Sequence, residues 1–163
     1  MNNYSYVTLL TTDNYVQGVV LLKASLERVG AKYPISVMVT DNLSEKALAV
    51  LESLKVNIIP VKKLATPEKL YEKNKAVDPH MADVWKDVLT KFQVWQLTQF
   101  DKVIMLDCDL LFLKNPDECF EKPEMTAALD GEYFNLWYKW PHFNTGFFVV
   151  KPSLETFQRF LHL

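Results

Sequence analysis

The sequence predicts an α/β fold, a mostly parallel sheet flanked by helices. Three observations carry that expectation. Residues 6–61 alternate β-rich apolar runs with stretches of helical periodicity. A later run, Lys102 to Leu106, is apolar enough for a central strand. The chain has 163 residues and is 49% hydrophobic, the size and composition of one domain, 1–163, with its own core.

The elements follow in order. Tyr6 to Thr11 is a first strand, and Asp13 and Asn14 offer turn and N-cap chemistry behind it. Val16, Val19, Val20, Leu22, Leu26 and Val29 form a helical stripe over 15–29, which Gly30 stops. Ile35 to Thr40 is a second strand. Ser44 caps a helix carrying Ala47, Leu48, Leu51 and Leu54, and Val56 to Val61 is a third strand. The stretch 62–83 breaks the rhythm. It holds Pro67 and Pro79 and is rich in Lys and Glu, so it reads as a long functional or mobile loop. Residues 84–99 return to helix through Val84, Val88, Leu89, Phe92, Trp95 and Leu97. After the fourth strand come Leu110 to Leu113 and a turn at Asn115-Pro116. Strands are expected over 126–129 and 146–151, and Ser153 caps a last helix over 154–162.

Composition narrows the function classes. Net charge is −2, from 18 basic and 20 acidic side chains. That balance gives no electrostatic reason to expect nucleic acid or an anionic membrane. No stretch approaches the ~20 apolar residues of a membrane span, and Met1-Asn2-Asn3-Tyr4 does not open like a signal peptide. The two cysteines, Cys108 and Cys119, allow a single disulfide but fit a reducing compartment at least as well. The chain reads as soluble and cytoplasmic, with a Golgi location open should an anchor have been removed. Tyr133, Phe134, Trp137, Tyr138, Trp140 and Phe143 cluster late in the chain. They read as core or as a wall on which a sugar ring stacks.

The chemistry points to Asp107-Cys108-Asp109, directly after the fourth strand. In an extended chain, residues i and i+2 share a face, so both carboxylates aim at one point while Cys108 faces away. Open α/β sheets bind ligands outside the carboxyl ends of their strands. Two carboxylates at the end of a buried strand are costly unless their charge is matched. A divalent cation matches it, and hard oxygen ligands suit Mg²⁺ or Mn²⁺. Such a cation can bridge to a diphosphate and stabilise charge on a leaving nucleotide. A bare Asp-x-Asp also arises as solvated turn carboxylates or helix caps, so the assignment needs more of the sequence.

Four segments supply it. Val7-Thr8-Leu9-Leu10-Thr11-Thr12-Asp13-Asn14-Tyr15-Val16-Gln17-Gly18 resembles the opening of the glycogenin-like glycosyltransferases of family 8. Thr90-Lys91-Phe92 with Trp95-Gln96-Leu97-Thr98 resembles the helix before their metal motif. Val103 to Pro116 resembles the strand, the motif and the turn after it. Phe143-Asn144-Thr145-Gly146-Phe147-Phe148-Val149-Val150-Lys151-Pro152-Ser153 resembles their Phe-Asn-Ser-Gly segment and the strand that follows. The resemblance implies a GT-A fold with a Rossmann-like sheet, retaining transfer from a UDP-sugar to a carbohydrate or glycan acceptor, and a need for Mn²⁺ or Mg²⁺. It implies that Leu9, Thr11, Thr12 and Tyr15 hold the uridine end, with Thr12 standing where the family often has Asn. Lys91 would face the donor phosphates or sugar. Asp107 would sit near ribose and metal, Asp109 would ligate the metal, and the Cys108 backbone would line the nucleotide pocket. Asn144 and Thr145 would contact the donor sugar. Asp109, Lys91 and Asn144 are thus the expected catalytic group. Asp130-Gly131 reads as a further polar wall or a simple turn. The family continues with an Asp-Gly-Gly-Asp-Gln-type segment and a His-containing segment that completes the metal shell. Leu163 is reached before both, as in a shortened member or a fragment. Of His80, His142 and His162, only His142 falls near the site by sequence.

Three readings follow. The first is a metal-dependent retaining glycosyltransferase using front-face substitution, since no carboxylate presents itself as a double-displacement nucleophile. The second is a non-catalytic nucleotide-sugar-binding module. The third, a nucleotidyltransferase, ranks last because Thr11-Thr12-Asp13-Asn14-Tyr15 lacks the glycines of a phosphate loop.

Overall fold

A computed structural model describes residues 2–77, 86–129 and 143–162 of the chain. Among the described residues six strands form one sheet: β1 (Tyr4–Leu10), β2 (Ile35–Val39), β3 (Asn57–Pro60), β4 (Lys102–Leu106), β5 (Ala127–Leu129) and β6 (Phe143–Val150). Their order is β3-β2-β1-β4-β6-β5. The first four are parallel, while β6 runs antiparallel to β4 and to β5. β1 pairs with β2 on one side, Tyr6 opposite Ile35, and with β4 on the other, Thr8 opposite Leu106. The chain leaves β1 toward β2 and returns on the far side through β4. The gap between the carboxyl ends of β1 and β4 is therefore a topological switch point, where open α/β sheets place their ligands.

Alternation along the strands sorts the core onto two faces. Tyr6, Ile104, Leu106 and Val149 pack with Leu22 and Leu26 of α1 (Val16–Arg28). Leu10, Val37 and Val39 extend that layer to Val19 and to Leu51 of α2 (Glu45–Ser53). Val7, Val103, Met105, Phe148 and Val150 face the other way. They pack on Val94 and Trp95 of a 3₁₀ segment, Val88–Gln96, and on Phe157 of α4 (Leu154–Leu161). Ser44 and Ser153 cap α2 and α4 as their sequence positions predict, accepting from Ala47 N at 3.1 Å and Thr156 N at 3.2 Å.

Several elements depart from the sequence expectation. The loop over 62–83 contains a helix, α3 (Glu68–Val77). Pro67 does not break it but starts it: its carbonyl accepts from both Leu70 N and Tyr71 N at 2.9 Å. Glu68 in the first turn and Lys75 in the last suit the helix dipole. The helix expected over 84–99 is instead the 3₁₀ segment Val88–Gln96, with 84 and 85 outside the described residues. Val88, Thr90, Phe92, Val94 and Trp95 are poor helix formers. Tertiary bonds shape the segment further: Thr90 Oγ1 accepts from Leu64 N at 3.1 Å, and Gln93 Nε2 donates to the Lys62 carbonyl at 2.7 Å. Asp13 and Asn14 do not cap α1; they lie in a 3₁₀ turn, Asp13–Tyr15, and Tyr15 takes the cap position without a side-chain bond. β6 begins at Phe143 rather than 146, and a further 3₁₀ turn, Asp117–Glu121, buries Phe120.

Candidate active site

A cleft of about 470 Å³ opens at the switch point, in the size range of small-ligand sites. Leu9, Thr11 and Tyr15 line it from the end of β1. Asp107, Cys108 and Asp109 line it from the end of β4, Lys91 from the 3₁₀ segment, and Asn144 and Thr145 from β6. Nine of the ten sequence-predicted site residues thus meet in one cavity.

Strand alternation explains how the motif is aimed. Val103 and Met105 face the 3₁₀ segment, and Asp107 continues that side. Its Oδ1 lies 2.5 Å from Lys91 Nζ, in an ion pair whose side chains are 35% and 15% exposed. Ile104 and Leu106 face α1, and Cys108 continues that side, packed against the cluster that holds Val19 and Leu10. Burial, then the neighbouring Asp109 and Asp107 carboxylates, push the Cys108 thiol up to about 11, so it stays neutral. The strand ends at Leu106 and the chain turns at Cys108-Asp109. Asp109 therefore reaches the cleft through a turn, not through the extended i, i+2 geometry expected from sequence. It is exposed and makes no ion pair among the described residues.

Two glycines permit this seating. A Cβ on Gly18, in the first turn of α1, would stand 2.6 Å from the Cys108 carbonyl oxygen. A Cβ on Gly146 would stand 2.7 Å from Asn144 Oδ1 and 3.0 Å from Asp107 Oδ2. Backbone bonds complete the joint: Asp107 N donates to the Gly146 carbonyl at 2.8 Å, and Gly146 N donates to Asn144 Oδ1 at 2.6 Å. β4 and β6 are thereby locked where the cleft begins.

Thr12 is not brought to the cleft. Its backbone is extended (φ −145°, ψ 156°) ahead of the 3₁₀ turn, and its carbonyl accepts from Tyr15 N at 3.4 Å. Phe143, read from sequence as core or as a wall for a sugar ring, lines the cleft, as do Asp87 and Val88, which were not singled out as site residues. Asp87 is the N-cap of the 3₁₀ segment, four residues before Lys91, and the helix expected over 84–99 gave no separate signal for it. His80, His142, Asp130-Gly131 and the aromatic run 133–140 lie outside the described residues. His162 ends α4 as its exposed C-cap and does not line the cleft. Among the described residues, no three His, Cys, Asp or Glu side chains converge as a metal cage, and no helix is long and apolar enough to cross a membrane.

The chain matches the family model "Glycosyl transferase family 8" over residues 6–161. It belongs to glycosyltransferase family 8. Family relatives include glycogenin-1 of Homo sapiens, 33% identical over 164 residues covering 100% of this chain and 43% of that protein. UDP-glucuronate:xylan alpha-glucuronosyltransferase 1 of Arabidopsis thaliana is 30% identical over 155 residues, 94% of this chain and 21% of that protein. The chain thus spans less than half the length of these relatives. Among solved structures, the galactosyltransferase LgtC superposes with a TM-score of 0.65 at 17% identity, covering 90% of this chain and 57% of that one. The glycosyltransferase GlyE of Streptococcus pneumoniae TIGR4 gives 0.59 at 16% identity, covering 99% and 38%. The family-8 chain has the GT-A fold these neighbours share, which confirms the architecture its sequence implies.

Proposed function

We propose that this chain binds a UDP-sugar at the Asp107–Asp109 cleft and serves retaining transfer of the sugar to a carbohydrate hydroxyl. One observation supports this above the rest: a family-8 chain gathers Asp107, Asp109, Lys91 and Asn144 into one cavity at the switch point. The donor set suits a hard divalent cation such as Mn²⁺ or Mg²⁺. Asp107 and Asp109 bring carboxylate oxygens, and Asp109 makes no ion pair among the described residues that would compete with a cation. A cation held there would supply Lewis-acid stabilisation of a departing diphosphate.

The chain's own residues divide the remaining work. Tyr15 gives a ring for the uracil, with Leu9 and Thr11 beside it. Asp107 takes the ribose side. Lys91 offers its charge to the phosphates, where a preorganised cation in a partly dry cleft stabilises charge developing on the leaving group. Asn144, fixed by its bond from Gly146 N, and Thr145 stand at the sugar end. Among the described residues the cleft carboxylates are Asp87, paired with Lys63, and Asp107 and Asp109, assigned to the ribose and the cation; none stands at the sugar end, so front-face substitution is the mechanism proposed.

Incubation with a panel of UDP-sugars and Mn²⁺ tests the reading, with released UDP as the signal. Release from one donor that is lost in Asp109→Ala supports it. UDP binding without release from any donor supports a binding module instead. No binding and no release would sink both.

A further inference from the structure

The cleft contains a carboxylate that the roles above do not use. Asp87 lines it, and a segment crossing from the end of β3 holds Asp87 in place. Lys63 Nζ meets Asp87 Oδ2 at 2.6 Å, with both side chains about 30% exposed. The contacts on either side repeat this clamp. Thr66 N and Thr66 Oγ1 both donate to the Lys86 carbonyl, at 3.2 and 2.8 Å. Leu64 N bonds Thr90 Oγ1, and Gln93 Nε2 bonds the Lys62 carbonyl. Lys63 is itself steadied by the Asn42 side-chain oxygen at 2.6 Å, from just beyond β2. Asp87 is thus a charged acceptor pinned by residues 62–66.

The strand order assigns this acceptor an end of the cleft. Across the sheet the sequence is β3, β2, β1, β4, β6. Asn144 and Thr145 stand at the β6 end, and Asp107 and Asp109 follow β4. Asp87 is anchored from β3 and β2, the opposite side, and shares the cleft with Leu9, Thr11 and Tyr15. With sugar toward β6 and ribose toward Asp107, the base falls at the β1 end, beside Asp87.

We propose that Asp87 is a specificity-determining residue that accepts the imide N3–H of uracil and thereby selects uridine over cytidine donors. This rests on the proposed UDP-sugar reading. A carboxylate has only lone pairs to offer, so it requires a donor from its ligand. Uracil presents N3–H, whereas cytosine presents a lone pair at the same atom. Lys63 holds Asp87 in place through their ion pair, so the acceptor is positioned before the ligand arrives.

Binding of UDP, CDP and 2′-deoxy-UDP to the chain, with Mn²⁺ present, tests the proposal by calorimetry. Wild type is expected to prefer UDP over CDP by roughly tenfold to a hundredfold, the range of a hydrogen bond to a charged acceptor. Asp87→Ala is expected to weaken UDP while leaving CDP within about threefold, so the ratio falls toward one. CDP serves as the internal control for folding, because its ribose and phosphate contacts are unchanged. Asp87→Asn keeps the shape, and its amide can turn to suit either base, so the ratio falls there too. Lys63→Met is expected to lower the ratio partway. An unchanged UDP-to-CDP ratio in both Asp87 variants overturns the proposal. So does an equal loss for UDP and CDP that disappears with 2′-deoxy-UDP, which would place Asp87 on the ribose. Wild type that binds none of the three nucleotides refutes the donor-site reading itself, and this inference with it.

Discussion

Gly18→Ala separates a geometric account of the site from a compositional one. Alanine is a better helix former than glycine by ~1 kcal/mol. On propensity alone the change in α1 stabilises the protein. The structure gives the opposite sign. The added Cβ would sit 2.6 Å from the Cys108 carbonyl oxygen and 3.2 Å from its carbon. Ordinary contact begins near 3.4 Å, so the two backbones must part by some 0.8 Å. The atoms that must yield are backbone, so no side-chain rotation relieves them. Overpacking of this kind costs ~1–3 kcal/mol, which offsets or exceeds the propensity gain. The displaced residue lies between Asp107 and Asp109. A misplacement near 1 Å in such a site is worth up to ~10²-fold. Gly18→Ala is therefore expected to unfold at equal or lower urea concentration than wild type and to bind UDP with Mn²⁺ at least about tenfold more weakly. Urea melts and calorimetry read both numbers. A variant that is more stable than wild type and binds UDP equally well would refute the close approach of α1 to the motif.

Further expectations follow from single contacts. Lys91→Met removes the ammonium from Asp107 Oδ1, so Mn²⁺ alone is expected to bind more tightly, while UDP in the presence of Mn²⁺ binds more weakly. Effects of one sign on both, read by Mn²⁺ paramagnetic resonance and calorimetry, would contradict the two roles of Lys91. Asp13 accepts from Ser44 N at 3.0 Å, and bonds to Ser44 hold its carboxyl below the usual carboxylate value of about 3.9. A depressed folded value means a contribution present above the unfolded value and lost as pH falls through the folded one. Asp13→Asn is therefore expected to flatten the acid side of the stability profile below about pH 4, as measured by urea melts across pH. Phe120 is fully buried and contacts Tyr4, Tyr6 and Tyr33 with ring centroids at 5.0, 5.0 and 4.6 Å. Phe120→Ala is expected to cost ~3–5 kcal/mol in a denaturant melt, without changing UDP affinity in the folded fraction.

The parts of the fold legible in the sequence are those whose burial repeats along the chain. β1, β2 and β4 lie between two layers, and their apolar runs show it. The Ser44 and Ser153 caps were legible because a hydroxyl before an apolar stripe satisfies a helix's free N–H groups. α3 was hidden by Pro67, which reads as a breaker unless it stands at a helix start. The 3₁₀ form of Val88–Gln96 was hidden because its apolar spacing resembles a helix, while its backbone follows bonds to residues 62–64. At the site, the meeting of Asp107, Asp109, Lys91 and Asn144 in one cleft was legible through segment resemblance. The turn that carries Asp109 was not, because alternation ends with the strand. Asp87 escaped because its partner Lys63 is 24 residues away in sequence, a separation that only the folded chain closes.

The central claim is that Asp107 and Asp109 bind a cation and a uridine diphosphate together. Calorimetric titration of UDP with and without Mn²⁺, for wild type and Asp109→Asn, tests it most directly. Wild-type UDP affinity is expected to rise at least about tenfold with Mn²⁺, the lower end for a charged contact, and Asp109→Asn is expected to abolish that rise. UDP affinity independent of Mn²⁺, or a rise that survives in Asp109→Asn, would contradict the account.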